Sequence, residues 1–193
     1  MDYTQNLHLP QFEETDRILH GDFNDAMSKI DAACATAPVP LFSQTLMADT
    51  DPWELDLSEF DLSKYKKLEL VFYLQSTGAD GGNTFLTCNR DESSGHYNGT
   101  GILSGGSKIK LGDLSSQSTG RTHISIQVYP IPGSILFRWT AIKVGVSSME
   151  EKYGRYKQCP LSQLQQLTLS SEYAAQTGRG IGTGSRVALY GIR

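Results

Sequence analysis

The sequence predicts a mainly β protein, an antiparallel β-sandwich of jelly-roll type preceded by a short N-terminal α-helical segment. Three observations lead to this fold class. From Trp53 onward, about nine short segments alternate apolar and polar residues, as half-buried strands do. Loops rich in Gly, Asn and Ser separate them. No helical pattern of any length lies between the segments, whereas parallel strands would require crossover helices.

The composition is that of a globular domain. The chain has 193 residues, of which 38% are hydrophobic and 20% charged, and its formal net charge is -4. One domain with an appendage is therefore expected. An acidic chain without a concentrated basic segment offers no long-range attraction to phosphate backbones, so nucleic-acid binding is disfavoured.

The N-terminus predicts no signal peptide, because no basic region followed by an apolar run opens the chain. No window approaches the ~18 consecutive apolar residues of a membrane span, so we expect no membrane partner and synthesis in a cytosol. The cysteines Cys34, Cys88 and Cys159 are widely spaced and odd in number, and we expect free thiols that are buried or half-buried.

An amphipathic helix is predicted from Asp16 to the prolines of "APVP" at residues 37–40. Gly21 marks an expected joint, after which Asp22 can cap a second stretch. The apolar residues form a narrow seam, unlike the wide stripe of a helix that lies on a core. The seam consists of Leu19, Phe23, Met27, Ile30 and Cys34. We predict that copies of the chain associate through it; the alternative is that the helix folds back on its own β-domain.

Three segments follow from these patterns. Residues 1–40 form an N-terminal arm with the anchoring and oligomerising helix, residues 41–52 form a linker, and residues 53–193 form the β-sandwich. Within the last segment, "SILFRWTAIKVG" is apolar on both faces and is expected to be a central strand, with Trp139 in the core.

Catalytic chemistry is not indicated. The histidines lie outside G-x-S-x-G and H-E-x-x-H patterns, and no cysteine has the flanking sequence of a thiol protease. Acidic residues in predicted loops leave glycan cleavage as a less favoured alternative, because the required separation of two carboxylates is spatial. These residues are Asp80, Asp91, Glu92 and Asp113.

Metal binding is weakly indicated. Oxygen ligands for calcium occur in two neighbouring loops, but they lack the regular D-x-D-x-D-G spacing, and turn formation explains them equally well. They are Asp80, Asn83, Asn89 and Asp91. We expect no bound metal and no cofactor, with calcium binding in these loops as the alternative.

Aromatic residues in two predicted loops are the candidate ligand-binding residues. Flat rings beside planar hydrogen-bonding groups suit the faces of sugars or protein surfaces. The candidates are His96, Tyr97 and Asn98 in "SSGHYNGTG", and Tyr153, Arg155 and Tyr156 in "EEKYGRYKQ". The alternative is that these tyrosines fold back and cover an end of the sandwich.

Both ends of the chain resemble bacteriophage proteins. The opening "YTQNLHLPQFEETDRILHGDFNDAMSKIDAA" resembles tail-associated virion proteins of phages and prophages of Gram-positive bacteria, through its N-L-x-L-P, T-D-R, D-F-N and K-I-D runs. The closing "GTGSRVALYGIR" is similar to the last strand of phage tail-fibre and receptor-binding domains. "DLSEFDLSKYKKLELVF" is similar to an early strand of such jelly-roll modules.

The resemblance implies a virion structural protein without catalytic residues, expected to be a homotrimeric tail fibre or receptor-binding protein. Its N-terminal segment would dock on other tail or baseplate proteins, and its β-domain would bind a glycan or protein of the host cell surface. The alternative within the same resemblance is a capsid or tail decoration or fibre subunit with no receptor. The resemblance also implies synthesis in the cytoplasm of the host bacterium.

Overall fold

The computed structural model describes residues 2–4, 9–11, 20–34, 37–77, 82–114, 121–143, 149–172 and 180–193. Strands account for 53% of the structure and helix for 14%, so the predicted mainly β class is confirmed. The α-helix α1 spans His20–Cys34, and single helical turns lie at Leu62–Lys64 and Leu161–Gln163.

Thirteen strands lie within the described ranges. They are β1 (Asp2–Tyr3), β2 (Pro10–Gln11), β3 (Val39–Thr45), β4 (Trp53–Asp56), β5 (Lys67–Gln75), β6 (Asn83–Cys88), β7 (Tyr97–Gly99), β8 (Ile109–Asp113), β9 (Arg121–Ile131), β10 (Ser134–Lys143), β11 (Met149–Tyr156), β12 (Gln166–Ser171) and β13 (Arg186–Ile192).

Two antiparallel sheets form the β-domain, as the alternating pattern predicts. The larger has seven strands in the order β3-β13-β5-β9-β10-β11-β7, and the smaller has four in the order β4-β12-β6-β8. The short strands β1 and β2 pair with each other in a separate two-stranded sheet. In β5 the residues in phase with Leu68, namely Leu70, Phe72 and Leu74, are all buried, which confirms the period of two.

The core lies between the buried faces of the two sheets. Trp139 of β10 is 1% exposed, and its indole N–H donates a 2.9 Å hydrogen bond to the carbonyl of Leu111 in β8. The ring of Trp53 in β4 packs edge-on against Phe72 of β5 with the centroids 6.3 Å apart. Each contact joins the smaller sheet to the larger one, and the predicted core position of Trp139 is confirmed.

The β-domain begins before the predicted boundary at Trp53. Strand β3 pairs with β13 along the edge of the larger sheet, so residues 39–45 belong to the sheet, which corrects the predicted linker of residues 41–52. Pro40 fits here because the strand is at an edge and the register shifts between Leu189 and Tyr190 opposite it. Further along the segment, Leu46 is buried in the core.

Helix α1 contains no buried residue. Gly21 and Asp22 lie within its first turn, so within His20–Cys34 the helix continues through the positions of the expected joint and the second cap. The seam residues Phe23, Met27 and Ile30 are 55%, 49% and 37% exposed, Cys34 is also exposed, and Leu19 lies outside the described residues. None of the described helices is long and apolar enough to cross a membrane.

Candidate ligand-binding face

The outer face of the seven-stranded sheet carries the side chains that alternate with the buried ones. The strand register aligns them in rows that run across the sheet. One row contains Arg186, Tyr73, His123 and Ile142, from β13, β5, β9 and β10. A second contains Tyr190, Glu69, Gln127, Arg138 and Tyr153, and extends to β11. This face is therefore a broad surface that mixes aromatic, amide and charged groups.

Two shallow recesses on this face share Tyr73 and Arg186, and we call them together the Tyr73 groove. The first has a volume of about 290 Å³ and is lined by Tyr73, Gln75, Arg121, Gly184 and Arg186. The second has a volume of about 440 Å³ and is lined by Ser43, Gln44, Thr45, Val71, Tyr73, Arg186, Val187, Ala188 and Tyr190. The groove thus runs from the start of β9 toward the edge strand β3.

Tyr73 lies where the two recesses meet. Its side chain is 52% exposed, and its ring packs beside the His123 ring with the centroids 4.7 Å apart. This contact limits the orientations of the Tyr73 ring while leaving part of it open to solvent. An exposed ring held in this way can stack on a sugar, and the nearby Gln75 amide can exchange hydrogen bonds with hydroxyl groups.

The charged groups of the outer face differ in their pairing. Arg138 forms an ion pair with Glu151, and Lys67 Nζ lies 2.6 Å from Glu69 Oε1. Among the residues that the structure describes, no ion-pair or hydrogen-bond partner contacts the guanidinium of Arg121 or Arg186. Within the described part of the chain, the two arginines of the Tyr73 groove therefore keep their donors available.

Two of the sequence-predicted binding residues are buried. Tyr97 and Tyr156 lie in β7 and β11, not in loops, and are 2% and 3% exposed. Their rings pack together with centroids 4.9 Å apart. The Tyr97 hydroxyl accepts from the Cys88 N–H and donates to the Asp91 carbonyl, both at 2.8 Å. Both rings point inward and present no open face to a ligand, which matches the alternative that these tyrosines cover an end of the sandwich.

Asp91 connects the neighbouring loop to this tyrosine pair. Its Oδ2 lies 2.6 Å from His96 Nδ1 and accepts a 2.9 Å hydrogen bond from the Tyr156 hydroxyl. Oδ1 accepts from the Ser93 N–H at 2.9 Å. Burial alone would raise the pKa of Asp91, but the hydrogen bonds from His96, Ser93 and Tyr156 outweigh it and lower the pKa to about 2. Asp91 is therefore ionised at neutral pH and holds the loop against β11.

Both tyrosines and the two nearby cysteines are in their neutral forms. Burial raises the pKa of the Tyr97 and Tyr156 hydroxyls, and it also raises the pKa of the Cys88 and Cys159 thiols. A thiol in an apolar site with a raised pKa is a poor nucleophile. We therefore interpret this cluster as packing that fixes the edge formed by β7 and β11.

The remaining predicted binding residues have access to solvent. Tyr153 is 53% exposed and lies on the outer face opposite Arg138. Arg155 lies on the same face, where its Nε donates a 2.9 Å hydrogen bond to Ser134 Oγ, and Asn98 pairs with it from β7. His96 is half-buried and held by Asp91. Tyr153 and Arg155 thus share the outer face with the Tyr73 groove but lie several strands away.

The loop residues considered for calcium have other roles. Asn83 Nδ2 donates to Glu172 Oε2 at 2.7 Å, and Asn89 Oδ1 accepts from the N–H groups of Gln165 and Gln166. Asp80 lies outside the described residues. Within the described part of the chain, no group of three His, Cys, Asp or Glu side chains is arranged to hold a metal ion.

Sequence reasoning missed the Tyr73 groove, although one signal was present. In "KLELVFYL" the buried phase runs through Leu68 and Phe72, so Tyr73 is an aromatic residue in the polar phase of a central strand. No protein-family model matches this chain, and its sequence matches no curated protein.

Proposed function

We propose that this chain is a structural protein of a bacteriophage virion that binds a glycan of the host cell surface through the outer face of its seven-stranded sheet. The observation that carries the binding role is the Tyr73 groove, where a half-exposed ring lies beside an amide and two guanidinium groups that have no partner among the described residues. Flat apolar surface next to planar donors complements the ring and hydroxyls of a sugar. The virion role rests on the resemblance of both chain ends to phage tail proteins.

A jelly-roll topology for the β-domain is part of this proposal. Successive strands change repeatedly from one sheet to the other, since β4 and β6 lie in the smaller sheet and β5 and β9 in the larger. Early strands also pair with late ones, as β4 does with β12 and β5 with β13. Both features are typical of jelly rolls and support the assignment.

The proposed assembly is a homotrimer joined through α1, which would attach to other tail or baseplate proteins. The exposed seam supports it, because an isolated helix of 15 residues is marginal in water unless its apolar side is covered. Burying Phe23, Met27 and Ile30 between copies would contribute about 1.5 to 3 kcal/mol per fully buried side chain. A catalytic activity is not part of the proposal.

Glycan binding can be tested with the full chain and one pair of matched variants. Tyr73→Ala removes the ring of the groove, whereas Tyr153→Ala removes a ring of nearly equal exposure, 53% against 52%, at the far side of the same face. We expect Tyr73→Ala to weaken binding on an array of bacterial surface saccharides about tenfold, since an aromatic contact contributes about 1.5 kcal/mol. Tyr153→Ala should retain most of the binding.

Two results would contradict this proposal. If the parent protein binds no saccharide on the array, the receptor role is removed and a decoration or fibre subunit is favoured. If Tyr73→Ala and Tyr153→Ala lose binding equally, the groove is not the centre of recognition. Thermal unfolding of each variant serves as the control for folding.

A further inference from the structure

We infer that the Tyr73 groove selects acidic saccharides, with a carboxylate or phosphate group held between Arg121 and Arg186 and the sugar ring placed on Tyr73. The inference rests on the proposed glycan binding and adds the chemical class of the ligand.

The two arginines lie on opposite sides of Tyr73. Strand β5 runs between β13 and β9, and the register pairs Tyr73 with Arg186 and Gln75 with Arg121. Both guanidinium groups line the same 290 Å³ recess. A guanidinium presents a rigid planar fork of N–H donors that matches the two oxygens of a carboxylate or the oxygens of a phosphate. Because two such forks line one recess, an anion bound there can accept hydrogen bonds from a guanidinium on each of its two sides.

The local charge of the groove is opposite to that of the chain. Neither recess is lined by an Asp or Glu side chain in the part of the chain that the structure describes, whereas the chain as a whole has a net charge of -4. Elsewhere on the face, Arg138 is neutralised by Glu151 in a separate polar recess of about 210 Å³. Positive charge that has no partner among the described residues attracts anions to this side of an otherwise acidic protein.

The dimensions of the first recess suit one charged sugar unit. A volume of 290 Å³ lies at the small end of ligand sites, which span roughly 300 to 1,000 Å³. Gly184 lines this recess without a side chain, and its φ of +85° disfavours other residues at this position. The adjoining recess of 440 Å³, lined mainly by uncharged residues, can receive the neighbouring sugar.

The test uses the full chain and saccharides in matched charged and neutral forms. Oligogalacturonates are compared with their methyl esters, and sugar phosphates with the same sugars after phosphate removal, on one array. We expect acidic members to bind about tenfold or more tightly than their neutral forms, because a hydrogen bond to a charged group contributes about 1.5 to 3 kcal/mol. The difference should shrink as sodium chloride is added.

Three charge-matched variants locate the effect. Arg121→Gln and Arg186→Gln should each reduce binding of acidic saccharides about tenfold and bring it to the level of the neutral forms. Arg138→Gln removes the same net charge from the same face and should leave the preference for acidic saccharides unchanged. A comparable loss in all three variants would show a general charge effect and overturn the inference.

The other outcomes are also decisive. Equal binding of acidic and neutral saccharides, both dependent on Tyr73, would overturn the acidic selectivity and leave the proposed function intact. Absence of binding to every saccharide would overturn both. If Arg121→Gln or Arg186→Gln changes the sedimentation coefficient of the protein, the groove lies between copies of the chain and the inference fails. A preference for the acidic member within the carboxylate pairs alone, or within the phosphate pairs alone, identifies which acidic group the groove accepts.

Discussion

Tyr97 offers a direct test of the buried cluster, because Tyr97→Phe removes only its hydroxyl group. That hydroxyl accepts from the N–H of Cys88 and donates to the carbonyl of Asp91, each at 2.8 Å. Cys88 is 0% exposed, so its N–H would lose its partner in a place that water does not reach. An unsatisfied buried donor costs about 1 to 3 kcal/mol, and we expect a loss of about 2 kcal/mol in the free energy of unfolding.

Equilibrium unfolding in urea measures this loss. Trp53 and Trp139 are both buried, so their fluorescence reports unfolding of the β-domain. With a slope of about 2 kcal/mol per molar urea, typical of small domains, the midpoint should fall by about 1 M. Protein concentration must be held constant between variants, because association stabilises the folded state.

Tyr153→Phe is the matched control. Tyr153 is 53% exposed, and its hydroxyl has no hydrogen-bond partner within the described residues. The control should therefore shift the free energy of unfolding by less than about 0.5 kcal/mol. If Tyr97→Phe is as stable as Tyr153→Phe, the hydroxyl of Tyr97 does not support the β7–β11 edge, and the structural role assigned to the cluster is refuted.

Three further changes follow from the geometry. Gly101→Ala places a methyl group 2.1 Å from the buried ring of Trp139. The free energy of unfolding measured by urea titration should therefore fall by about 1 to 3 kcal/mol. An unchanged urea midpoint would contradict the packing described around Trp139. The pKa of Asp91 is lowered from 3.8 to about 2 in the folded state, so its contribution is complete above pH ~4 and is lost as the pH falls toward 2. Melting temperature should therefore decline in that range for the parent protein and less steeply for Asp91→Asn; parallel declines would exclude this cause. Phe23→Asp in the exposed seam should convert the proposed oligomer to monomers in sedimentation, whereas Ser28→Asp, outside the seam of α1, should not. An unchanged mass in both variants would contradict the proposed association through α1.

The fold class could be predicted because one face of most strands is apolar. In β9 the buried residues Ile124, Ile126 and Val128 alternate with half-buried polar ones, and the sequence alone shows this period. The pattern fails in β11, "MEEKYGRY", where the inward positions are Lys152, Gly154 and Tyr156. The sequence therefore predicts a loop where the structure has this strand.

Packing around Trp139 explains why β11 lacks the usual signal. A Cβ on Gly154 would lie 3.4 Å from the Trp139 ring and 2.9 Å from Ile102 Cδ1, and a Cβ on Gly101 would lie 2.1 Å from the same ring. The indole ring thus occupies space that aliphatic side chains of neighbouring strands would otherwise fill. Periodicity in one strand cannot reveal that a residue on another strand fills its inward positions.

The candidate site was harder to predict for a related reason. Tyr73 could have been singled out as an aromatic residue out of phase, but Arg121 and Arg186 are far from it in sequence. Their proximity depends on the order β13-β5-β9 and on the register that aligns the ends of these strands. Register of this kind is set by long-range pairing, for which a single sequence carries little information.

The proposed trimer would increase the affinity that the Tyr73 groove provides for a surface glycan. The Tyr73 groove is shallow and open, so a single copy can surround only part of a saccharide and should bind it weakly. If α1 joins three copies, each further groove engages at an effective concentration in the millimolar range, and overall affinity for a repeating surface glycan rises by about 10² to 10⁴. Monomeric Phe23→Asp should therefore keep the single-site affinity for a short saccharide and lose most of its binding to the polymer. Equal losses on both ligands would show that helix and groove are not separate functional parts.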